Sequence, residues 1–134
     1  MRTEKPLSFP AVPVLVDTSV LIDLLRGYPA ARAYLRGLPE VPIASEVTRV
    51  EILRGLRGAE REATERLFDA LRWAGVDEVI ARRTGELGRR WDRHRPGIAL
   101  ADLIIAATAE QLGADLATGN VRHFPMFPTL QPPY

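Results

Sequence analysis

Val14-Leu15-Val16-Asp17-Thr18-Ser19 is the stretch from which the rest of the chain can be read. Three apolar residues, two of them β-branched, run straight into a carboxylate and then into two hydroxyl residues. An apolar run without alternation suits a strand covered on both faces, as in a parallel sheet. The polar corner after it suits a helix start, with Thr18 or Ser19 as the cap. Ligands of open α/β sheets bind beyond the carboxyl ends of strands. Asp17 therefore stands where a site is expected.

Outward from this corner, strand and helix alternate. A strand is expected over 13–17, a helix over 20–26 stopped by Gly27, and a second helix over 30–38 opened by Pro29. A second parallel strand is expected at 41–44. Ser45 then caps a helix that runs to Leu56. Ala63, Leu67, Ala70 and Leu71 have helical spacing within 60–73. A short strand is expected at 76–79, helices at 80–95 and 99–112, and a last core strand at 114–118. The proline-rich end is read as loop, with an edge strand near 129–131. The class is α/β with a central, mostly parallel sheet. Residues 1–13, with Pro6, Pro10 and Pro13, are read as an irregular lead-in, and 14–134 as one domain.

The totals agree with a single globular domain: 134 residues, 46% hydrophobic and 26% charged. No apolar run is long enough to span a membrane, and no apolar h-region suggests a signal peptide. The absence of cysteine excludes disulfides, thiolate chemistry and cysteine zinc sites, and fits a reducing cytoplasm. Eighteen basic against 17 acidic residues leave +1, which alone does not mark a nucleic-acid binder. All the basic residues but Lys5 are arginines, whose planar fork suits phosphate.

Several residues are candidates for chemistry. Asp17 is either a cap or a ligand for metal or phosphate. Asp102 is flanked at helical spacing by Ile98, Ala99, Ile105 and Ala106, so its carboxylate is costly unless capped, paired or bound to metal. Glu51 reads by itself as a surface acid paired with Arg54. Its place after the second strand sets it near the same sheet edge as Asp17. Thr118-Gly119-Asn120 follows the last strand and is explained by a turn, or by a polar wall of the same site. His123 reads as a structural histidine. Arg82, Arg83, Arg89, Arg90, Arg93 and Arg95 share one expected helix, as a solvated face or a phosphate patch. Carboxylates gathered at the ends of parallel strands suit Mg²⁺ or Mn²⁺, which take oxygen ligands.

Four stretches together resemble PIN domains in order and spacing. They are Val-Asp-Thr-Ser-Val-Leu-Ile-Asp at 16–23, Thr-Arg-Val-Glu-Ile-Leu-Arg-Gly at 48–55, Ala-Asp-Leu-Ile-Ile-Ala-Ala-Thr-Ala at 101–109 and Ala-Thr-Gly-Asn-Val-Arg-His-Phe at 117–124. The ending His-Phe-Pro-Met-Phe-Pro, with a closing Pro-Pro-Tyr, is similar to VapC toxins of VapBC toxin–antitoxin pairs. The resemblance implies a Rossmann-like α/β/α sandwich and an acid ring binding Mg²⁺ or Mn²⁺. Asp17 and Asp102 would be the main metal ligands and Glu51 would complete the cluster. Asn120 would stand where many PIN domains carry a fourth acid, and Thr18 and Thr118 would be hydroxyls behind the ligands. The implied activity is metal-assisted hydrolysis of RNA phosphodiester bonds. The implied partners are RNA, a cognate VapB-type antitoxin and a second copy of the chain.

Three other classes fit less well. A catalytically weak or inactive RNA-binding module is favoured only by Asn120. A phosphoacceptor signalling domain needs paired acids near the start and a late lysine. DNA flap nucleases are usually longer.

Overall fold

The computed structural model describes residues 11–134. The lead-in expected for 1–13 therefore lies mostly outside the described residues. Four short strands form one parallel sheet: β1 (Val14–Val16), β2 (Ile43–Ser45), β3 (Arg72–Ala74) and β4 (Asp115–Ala117), in the order β3-β2-β1-β4. β1 and β4 are central and edge neighbours whose register sets Leu15 beside Leu116 and Val16 beside Ala117. Asp17 N–H donates to Ala117 O at 2.8 Å, which carries the pairing into the polar corner.

Both faces of the sheet are covered, as the unalternating run of β1 requires. Leu15, Ile43 and Leu116 pack with Ile80 and Leu87 of α5 (Glu78–Trp91) and with Leu103 and Ala106 of α6 (Leu100–Leu112). Val16, Ala44 and Ala117 pack on the other face. There they meet Val20 and Leu21 of α1 (Thr18–Leu25), Ile52 of α3 (Glu46–Arg54) and Phe68 of α4 (Arg61–Asp69). Tyr34 and Leu35 of α2 (Pro29–Arg36) join this second layer. The result is an α/β/α sandwich. No helix among the described residues is long and apolar enough to cross a membrane.

At α1 the N-cap position falls on Asp17, without a side-chain bond, and not on Thr18 or Ser19, because the helix already begins at Thr18. Two other helix-end signals act where the sequence places them. Ser45 Oγ accepts from Val47 N–H at 3.2 Å and caps α3, and α6 ends on Gly113 in the left-handed region, where a side chain would be strained. Two strand expectations fail. The third strand lies at Arg72–Ala74, not at 76–79, and it ends the preceding helix early. Trp73 decides this. Its indole N–H donates to Phe68 O at 2.9 Å, its ring meets Phe68 edge-on, and the Arg49 guanidinium stacks 3.8 Å from its centroid. Arg49 is itself held by both oxygens of Glu46. The second failure is the edge strand near 129–131. That segment is a run of turns, with Phe127 N–H donating to Phe124 O and Leu130 N–H to Phe127 O. Pro125, Pro128, Pro132 and Pro133 deprive it of the donors a strand needs.

Among the described residues, one buried side-chain polar atom has no hydrogen-bond partner: Thr64 Oγ1, on the face of α4 that turns inward. Thr64→Val keeps the shape and removes the orphan hydroxyl. It is expected to leave stability unchanged or to raise it by up to about 1 kcal/mol, read from the denaturant midpoint at constant m.

Candidate active site

The corner after β1 is built from hydroxyls around one carboxylate. Asp17 is buried, at 3% exposure, and precedes α1 as its N-cap residue without spending its side chain on the cap. Its Oδ2 accepts from Ser19 Oγ at 2.8 Å and from Thr118 Oγ1 at 2.7 Å. Thr118 follows β4, and its oxygen in turn accepts from Asn120 N–H at 2.9 Å. Gly119 N–H donates to Ser19 Oγ at 3.1 Å. The turn after β4 is thus stitched to the turn after β1. These bonds hold one oxygen of Asp17 and leave Oδ1 uncommitted.

Glu51 approaches from α3. Thr18 Oγ1 donates to Glu51 Oε1 at 2.6 Å and lies 2.9 Å from Thr48 Oγ1. A hydroxyl has one proton, so Thr18 shares it between these two acceptors, with the carboxylate the nearer. The surface pair expected between Glu51 and Arg54 does not form among the described residues; Glu51 turns to the β1 corner instead.

Asp102 sits in the first turn of α6, where the positive end of the helix dipole favours a carboxylate. It is not the cap: Ala99 holds that position without a side-chain bond. Asp102 Oδ2 meets His123 Nδ1 at 3.2 Å. His123 belongs to a short turn (Val121–His123) after β4, and sequence reasoning passed it over as structural. Only its nearness to the Asn120 turn pointed to the site. Burial pushes the Asp102 carboxyl above the usual carboxylate range, the charges of Asp17 and Glu51 push the same way, and His123 opposes them.

Asp17, Glu51, Asp102, Asn120 and His123 all line one cavity of 460 Å³, with Arg26 at its side. Thr18 lines it too, while Thr118 stands behind Asp17. Asn120 is exposed and adds a neutral amide to the rim. Among the described residues no three acids or histidines are close enough to form a ready-made cage. The donors are nonetheless all carboxylate oxygens, the partners of hard cations. An ion such as Mg²⁺ binds through one or two carboxylates and keeps several waters, so it needs no such cage. Burial first, and then the charges of Asp17 and Glu51, raise the Asp102 pKa, and a cation would relieve the second of these causes.

Residues 14–125 match the PIN domain model. The chain is 50% identical over 123 residues to Ribonuclease VapC19 of Mycobacterium tuberculosis, covering 90% of this chain and 98% of that one. It is 46% identical to Ribonuclease VapC10 of the same organism, covering 90% and 92%. Its fold is similar to a chain of a toxin–antitoxin complex from Klebsiella pneumoniae, with a TM-score of 0.78, 28% identity and coverage of 90% and 98%.

Proposed function

Because the chain belongs to the PIN domain family and is a relative of the VapC ribonucleases, we propose that it is the toxin of a VapBC-type pair, an endoribonuclease dependent on Mg²⁺ or Mn²⁺. The observation that carries the reading is the convergence of Asp17, Glu51 and Asp102, from three separate elements, on one open cavity. Three carboxylates alone would repel a phosphodiester.

Asp17 and Asp102 would hold the divalent ion, with Glu51 completing its surroundings directly or through water. Bound there, the ion supplies charge neutralisation at the phosphate and makes water more acidic. The residues of this chain do the positioning. Ser19 and Thr118 fix the plane of the Asp17 carboxylate, Thr18 fixes Glu51, and His123 orients Asp102. Such supporting bonds keep ligands aimed and limit their motion. Asn120 adds an amide where many relatives would add charge, which favours a single tightly held ion. A VapB-type antitoxin is the inhibitor this reading calls for, a homodimer the assembly, and the cytoplasm, where RNA is found, the place of action.

The test is cleavage of total RNA by antitoxin-free protein with Mg²⁺, with Mn²⁺ and with EDTA, beside Asp17→Ala. Discrete cuts that need metal and are absent from the variant are expected. A folded protein that cuts nothing across a range of RNAs would leave an RNA-binding module in place of the enzyme.

A further inference from the structure

The arginines of α5 fall into two groups. Arg82 pairs with Glu78, and Arg83 with Glu86 and Glu110, so the first half of the helix is neutralised. Arg89, Arg90, Arg93 and Arg95 are exposed and make no ion pair among the described residues. Only Asp92 lies among them as an acid. Arg89 and Arg90 sit in the last turn of α5, where cations gain from the helix dipole. Arg93 and Arg95 lie beyond the helix end, in a turn formed by His94 and Arg95 N–H donating to Trp91 O. Dipole stabilisation does not account for them.

Their position does. Glu86, Arg89, Arg90, Arg93 and His94 line a surface trench of 360 Å³, in which Glu86, the partner of Arg83, is the one acid against three arginines. The next residue, Arg95, opens a second trench of 320 Å³, continued by Pro96, Gly97, Ile98 and Ala99. Gly97 takes a φ of 90°, and this left-handed step carries the chain back towards α6. The second trench ends on Ala99, Asp102 and His123, three residues that also line the acid cavity. Next to His94 in the chain, Arg95 therefore sets the arginine-lined trench beside one that reaches the wall of the site.

We infer that Arg89, Arg90, Arg93 and Arg95 form a phosphate track that holds a single-stranded segment of the RNA substrate on the Asp102 side of the acid cavity. The inference rests on the ribonuclease reading and adds the direction from which the strand enters. A flexible single strand can follow a curved trench and bring one phosphate to the acids. Guanidinium groups fit its phosphates without reading sequence.

The test measures binding of a labelled single-stranded RNA oligonucleotide at several salt concentrations. The Asp17→Asn protein is used so that the probe survives. Adding Arg93→Glu and Arg95→Glu is expected to weaken binding by on the order of tenfold at moderate salt. The slope of log affinity against log salt should become shallower by about 1.4, the effect of two lost phosphate contacts on a single strand. Lysine at both positions should keep most of the slope, and Arg82→Ala should change nothing. With Asp17 intact, the double Glu variant should raise KM and spare kcat. Unchanged affinity and slope in the double Glu variant overturn the track, including when that variant instead sheds a bound acidic protein. Absence of cutting by the unaltered protein overturns the ribonuclease reading alone, because the affinity comparison still decides the track.

Discussion

Asp102→Asn is expected to cut RNA roughly a thousandfold more slowly than the unaltered protein, the scale of removing one anchor of a catalytic ion. Without divalent metal, the same variant is expected to melt at a higher temperature. The two effects have one cause. In strong acid the folded and unfolded chains both hold the Asp102 proton, and the group costs nothing. As pH rises, the unfolded chain releases it first, because burial beside Asp17 and Glu51 holds the folded group's pKa up. Stability of the metal-free protein therefore falls through that window and stays lower at neutral pH. Asparagine keeps an oxygen for His123 and removes the charge. Divalent metal should raise the melting temperature of the unaltered protein and do little for Asp102→Asn. Thermal melts of both proteins, with and without Mg²⁺, check this. A lower melting temperature for metal-free Asp102→Asn would mean that the carboxylate serves the fold and not an ion.

Phe124→Ala is expected to cost about 3–5 kcal/mol, a large share of the roughly 5–15 kcal/mol that holds a domain folded. Phe124 is 1% exposed and is the largest fully buried side chain among the described residues. It pins the turn that carries Asn120 and His123 to the core shared by Leu15, Leu116 and the α5–α6 layer. The loss should appear as a lower urea midpoint at unchanged m. Phe124→Leu keeps more of the volume and should cost under about 1.5 kcal/mol. Activity of the Ala variant should fall even where it remains folded, because His123 loses the anchor next to it.

The parts of this molecule legible in the sequence are those set by local chemistry. β1 shows its double burial in three residues, Ser45 and Gly113 show their helix ends, and Asp102 shows its anomaly against the apolar residues around it. The parts that were not legible depend on distant partners. Leu71, Arg72 and Trp73 extend a helical pattern as well as they begin a strand. Only Arg49 and Phe68, brought alongside, settle the matter. Glu51 had a plausible neighbour in Arg54 and found a better one in Thr18, 33 residues away. His123 carries no signal beyond its nearness to the Asn120 turn, because its role exists only once α6 lies beside that turn.

The bond from Thr118 to Asp17 spans 101 residues, and β4, which precedes Thr118, closes the sheet against the first strand. A growing polypeptide on the ribosome has made Asp17, Glu51 and Asp102 well before it has made the strand and turn that orient them. Until β4 docks, Asp17 has neither its Thr118 hydroxyl nor the Ala117 carbonyl that anchors its backbone. The three acids therefore reach their folded arrangement only after the chain through Thr118 has left the exit tunnel. On the ribonuclease reading, such a chain cannot attack RNA near the ribosome that is making it before that point.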